Sequence, residues 1–203
     1  MPPVGDVRCD AGNVVIRSAD PIDAATACQG ASDAIAFLAR NGMEVSGGIT
    51  IEVVRHMPEH TSATSAGCYL EVERRALILR YAEFERGEPW LGLPRDRKLY
   101  RSLVSHEVAH ALAACNFKVP KPSISAQEYI AYVTMLATMA PEERERVLSQ
   151  FPGEGYEGDW QMNSTIYMMN PERFAVQAYR HYLKPDNGWN YLREILSGRV
   201  MIE

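Results

Sequence analysis

The sequence predicts an α+β fold, with a small β-rich N-terminal half that carries one inserted helix and an all-helical C-terminal half. Three observations predict it. β-branched runs are confined to the chain up to Tyr81, apolar residues recur at helical spacing from Asp96 onward, and the two signals are segregated rather than alternating. The boundary falls near residue 95, giving a β-rich part (1–95) and a helical part (96–203). At 203 residues both fit within one domain.

The elements follow in order. Val14-Val15-Ile16-Arg17 reads as a short strand. Asp20-Pro21 is an N-cap followed by proline at the first helical position. Ile22, Ala25, Ala31, Ile35 and Leu38 then keep helical spacing until Asn41-Gly42 stops the helix. Ile49 to Val54 is a second strand, and His56 to Gly67 a polar loop. Cys68 to Val72 and Ala76 to Tyr81 flank Glu73-Arg74-Arg75 as a hairpin. Glu83 to Pro94 is a connector. A helix runs from Asp96 to about Phe117, and Val119-Pro120-Lys121-Pro122 breaks it. Ser125, three residues before Glu128, has capping-box spacing and opens a helix from Gln127 to Met139. Pro141 opens another to Gln150, Asn170-Pro171 a third to about Leu183, and Trp189 to Leu196 is the last, closed by Gly198.

Composition narrows the function. Hydrophobic residues make up 46% and charged residues 23%, which favours a packed core over disorder. A net charge of -5 argues against a nucleic-acid footprint. No apolar run reaches the length of a membrane span. The four cysteines, Cys9, Cys28, Cys68 and Cys115, form no C-x-x-C pair. Their number and spacing fit one or two disulfides in a periplasmic or secreted protein whose leader has been removed. The alternative is a cytoplasmic protein with buried thiols. Nothing in the sequence bears on oligomeric state.

Ser105-His106-Glu107-Val108-Ala109-His110 contains H-E-x-x-H within a predicted helix. Residues i and i+4 lie one turn apart on one face, so both imidazoles can reach a single zinc ion. Glu107 projects near that face and can act as base toward a water. A catalytic zinc usually takes three protein ligands. Glu128 is the favoured third, because it sits in the first turn of the next, otherwise apolar helix, beyond a Pro-rich reversal. Asp159 and His181 are its rivals. His56 and His60 share the same spacing but fall in a loop, and read as exposed residues.

H-E-V-A-H, followed by Glu128 after residues 111–127, resembles the gluzincins, the thermolysin-like branch of the zincin metallopeptidases. The likeness covers about residues 65 to 135. It implies an active-site helix, a glutamate helix, and a peptide or protein substrate lying along the edge strand, here Cys68 to Val72. In that branch an aspartate stands four residues after the glutamate ligand, whereas this chain has Tyr132. The resemblance further implies a transition-state side chain from the C-terminal half, for which Tyr179 and His181 are the candidates. The expected activity is zinc-dependent peptide-bond hydrolysis, with Glu107 passing a proton from water to the leaving amine. The alternatives are a zinc-binding module that captures a peptide without cutting it, and an interaction domain whose histidines are incidental.

Overall fold

The computed structural model describes residues 5–11, 13–44, 47–59, 61 and 65–203. Its strands are β1 (Gly5–Arg8), β2 (Val14–Ser18), β3 (Ile49–Val54), β4 (Gly67–Leu70) and β5 (Arg75–Leu79). Its helices are α1 (Pro21–Arg40), α2 (Tyr81–Phe84), α3 (Arg97–Asn116), α4 (Ile124–Thr138), α5 (Pro141–Gln150), α6 (Ser164–Met169), α7 (Pro171–Tyr182) and α8 (Gly188–Ser197), with a 3-10 turn at Asp159–Gln161. The fold is therefore α+β, as the segregated patterns predict.

Local chemistry sets most boundaries. The Asp20 carboxylate accepts from the amides of Ile22 and Asp23, capping α1. Asp96 does the same for α3 through Lys98 and Leu99. Asn170 caps α7 through Arg173, and Gly198 ends α8 in the left-handed conformation. One expected cap is wrong. Ser123, not Ser125, caps α4, accepting from the Ala126 amide. Ser125 lies inside the helix, buried, and its hydroxyl donates to the Glu203 carbonyl. Glu128 thus falls in the second turn, where capping does not account for it. Three short elements, β1, α2 and α6, lie outside the elements that the sequence predicts.

Among the described residues the strands form one mixed sheet in the order β1-β2-β3-β5-β4. β2, β3 and β5 run parallel, with α1 crossing from β2 to β3, while β1 and β4 add antiparallel edges. The expected hairpin is β4–β5, and its first strand is an edge. Its turn is one residue longer than the sequence suggests and falls earlier, spanning Glu71–Arg74 with the Arg74 amide bonded to the Glu71 carbonyl, so β4 ends at Leu70 rather than Val72 and Arg75 already belongs to β5.

A continuous core links both halves. It joins Ile16, Ile51 and Ile78 of the sheet to Ala27 and Leu38 of α1, Val104 and Leu112 of α3, Ile130 and Val133 of α4, and Phe174 of α7. α1 and α3 cross closely at Gly30. A Cβ there would lie 2.4 Å from the Arg101 carbonyl oxygen, and Ser105 donates to the Gly30 carbonyl at 2.9 Å. This contact fixes α3 one residue before His106. A disulfide joins Cys9 to Cys28, tying the segment before β2 to α1, while Cys68 and Cys115 are free thiols. Among the described residues no helix is long and apolar enough to cross a membrane.

Candidate metal centre

α3 packs against both α4 and the β4–β5 hairpin, so one helix brings its motif between a second helix and a sheet edge. His106 and His110 project from successive turns. Their Nε2 atoms stand 3.1 Å apart. α4 supplies Glu128, whose Oε2 is 3.5 Å from His106 Nε2 and whose Oε1 is 3.6 Å from His110 Nε2. These residues form the group of His, Cys, Asp and Glu side chains among the described residues able to share one cation, their ligand atoms lying within 4.8 Å of one another.

The spacing fits zinc. Four-coordinate zinc with bonds of about 2.0–2.1 Å defines a tetrahedron with edges of about 3.3–3.4 Å. The three separations bracket that value. The electrostatics agree. Burial pulls the His110 imidazole down to about 4, so it stays neutral at pH 7 with a lone pair to offer. Burial opposes charge on His106 and Glu128 as well. Even so, the mutual attraction of the carboxylate and the imidazoles raises the His106 pKa and lowers that of Glu128. The cluster therefore favours added positive charge. Glu128 Oε2 and His106 Nδ1 are buried with no hydrogen-bond partner among the described residues, a cost that a shared cation offsets at the carboxylate.

Glu107 lies beside this cluster with its carboxyl against Gly67, the first residue of β4. A Cβ on Gly67 would come within 2.5 Å of Glu107 Oε1 and 2.8 Å of its Cγ, so the side chain occupies space that only glycine leaves open. Glu107 Oε2 is buried and unpartnered among the described residues. Burial pushes its carboxyl up to about 7, with Glu128 adding to the shift and His106 opposing it. A carboxyl poised there can accept and return a proton near neutral pH.

All four residues line one cleft of about 850 Å³. β4 forms one wall through Gly67, Cys68 and Tyr69, and α6 contributes Tyr167 and Met169. The Tyr167 hydroxyl faces Glu128 closely enough to help hold its pKa down. No helical periodicity pointed to Tyr167, because α6 has only six residues and buries none. Tyr132, standing where the resemblance implies an aspartate, packs its ring 4.5 Å from that of His106.

Tyr179 and His181 are not on this cleft. They are buried elsewhere on α7, where the Tyr129 hydroxyl of α4 meets His181 Nδ1 at 2.8 Å and Tyr179 stacks on Tyr182. Asp159 accepts from the Tyr191 hydroxyl and stands apart from the imidazole pair. His56 is exposed, and His60 lies outside the described residues.

The fold and the site define an α+β protein with a His-His-Glu cluster at a sheet edge, buried at His106 and part-buried at His110 and Glu128. The chain belongs to DUF6639, a family of unknown function, whose model matches residues 14–203. No curated protein and no solved structure matches it.

Proposed function

We propose that this protein is a zinc-dependent peptidase of the gluzincin type, with a zincin-like arrangement of β4, α3 and α4. The observation that carries the reading is the convergence of His106, His110 and Glu128 beside a glutamate that faces the edge strand. When bound, zinc supplies Lewis acidity, making a water nucleophilic near neutral pH and polarising a carbonyl. The protein's own residues do the rest. His106, His110 and Glu128 hold the ion, and Tyr167 orients Glu128. The outer edge of β4 offers unpaired backbone groups to an extended peptide. Glu107 takes a proton from water and delivers it to the departing amine. The Cys9–Cys28 disulfide favours an oxidising compartment, periplasmic or extracellular.

Zinc-loaded protein should cleave peptides, whereas Glu107→Gln should lose hydrolysis by about a hundredfold or more and keep its zinc. Activity near wild type in that variant would contradict the assignment. The bare Nδ1 of His106 favours a second reading, since zinc-ligating histidines almost always donate that proton to a partner. In that reading the site holds zinc and captures a peptide without cutting it. Stoichiometric zinc with no cleavage would select it.

A further inference from the structure

The cleft has a cation that the hydrolytic step does not use. Arg95, between α2 and α3, lines the same cavity as the metal cluster. Its placement is built. Nε donates to the Glu88 carbonyl at 2.8 Å, and the guanidinium lies 5.1 Å from the centre of the Phe84 ring. Gly87 leaves room for it, since a Cβ there would come within 2.5 Å of Nη1. The wall on which it sits is also held. Leu91, fully buried, takes a left-handed φ of 55° in the Trp90–Leu93 turn, and its amide donates to Glu172 Oε1 at 3.0 Å.

What this guanidinium lacks is an anion. Glu88 and Glu172 are near enough to favour its charge, but neither carboxylate lies within ion-pair distance, and burial disfavours the charge more strongly than they support it. Its two terminal nitrogens have no hydrogen-bond partner among the described residues. A fixed, planar, partly desolvated fork with both outer donors free matches a carboxylate in bidentate geometry. Lysine would not reproduce it, and a purely structural arginine would be expected to engage its terminal nitrogens as well, as Arg97 does with Nη1 on Asp23.

We propose that Arg95 is a carboxylate anchor within the cleft, so that preferred substrates carry a carboxylate at a fixed spacing from the cleaved bond. The carboxylate is either an acidic side chain or the substrate's own C-terminus. This rests on the peptidase reading and specifies its substrate class.

The test is cleavage-site profiling of a mixed peptide library by the zinc-loaded full chain, wild type and Arg95→Gln, with half of the library amidated at the C-terminus. Zinc content measured in both proteins serves as the control for folding. Wild type should favour Asp or Glu about ten- to a hundredfold at one subsite, or favour free over amidated C-termini by that factor. The first result identifies the side chain as the source, the second the terminus. Arg95→Gln should lose the preference while retaining zinc. Cleavage by wild type with neither preference, or a preference surviving in Arg95→Gln, overturns the anchor and leaves the peptidase reading standing. Should Arg95→Gln lose its zinc, Arg95→Lys, which keeps the charge but not the fork, should show the preference reduced, and an undiminished preference would overturn the proposal. No cleavage of any peptide by wild type contradicts the peptidase reading and removes the anchor with it.

Discussion

At the scale of single residues, the site depends on one missing methyl group. Gly67 gives Glu107 its seat, so Gly67→Ala must push the carboxyl away from the edge strand. A misplacement of about 1 Å can cost on the order of a hundredfold in rate. Peptide turnover by Gly67→Ala should fall by about that much at unchanged zinc content, and wild-type turnover would refute this role. Tyr167 acts on Glu128. Its loss in Tyr167→Phe should weaken zinc affinity about 10- to 100-fold, which a competitive chelator titration reads directly. His181 yields a pH prediction away from the His-His-Glu cluster. Burial, and secondarily Lys184, holds its imidazole down at about 4, against about 6.5 unfolded. The unfolded chain therefore binds the extra proton first, and stability falls as pH drops from about 6.5 toward 4. Between pH 7 and pH 5 this amounts to about 2 kcal/mol. His181→Gln should remove that part of the slope in denaturant unfolding, and an identical slope would show that the proton is not excluded. His106, Glu107 and His110 are legible in sequence because one helical turn fixes their relation. Gly67, Tyr167 and Arg95 are not, because each acts across elements distant in the chain. Tyr179 and His181 do not line the cleft, and aromatic residues at a helix end carry no mark of which neighbour they face.

At the scale of elements, legibility follows the locality of the signal. Asp20-Pro21, Pro141 and Asn170-Pro171 open helices where expected, because capping and the fixed φ of proline act within one turn. The start of α4 misled, since Ser123 and Ser125 offer the same hydroxyl two residues apart. Only the tertiary contact of Ser125 with Glu203 decides between them. β1 and α6 are not legible because four exposed residues and six without a buried one leave no periodicity to read. The Cys9–Cys28 crosslink, closing a separation of 19 residues, joins the β2 lead-in to α1. Loop-closure entropy gives it about 3 kcal/mol. Paired Cys9→Ser and Cys28→Ser changes should lower stability by roughly that amount in denaturant melts run without reductant. A loss below about 0.5 kcal/mol would mean that the two elements are already held by packing alone.

At the scale of the whole molecule, α3 does two jobs. It packs into the core that joins sheet and helices, and it presents its motif to a cleft between β4 and α6. The core and the candidate site therefore share one helix. A cation held by His106, His110 and Glu128 should stabilise the whole fold, by about 4 kcal/mol when zinc stands a thousandfold above its dissociation constant. The measurement that tests the account most directly is zinc content after reconstitution and desalting, compared for wild type, His106→Ala and Glu128→Ala. The account predicts stoichiometric zinc in wild type and its loss in both variants, each still folded by circular dichroism. Wild type that returns without zinc, or Glu128→Ala that keeps a full equivalent, would contradict it.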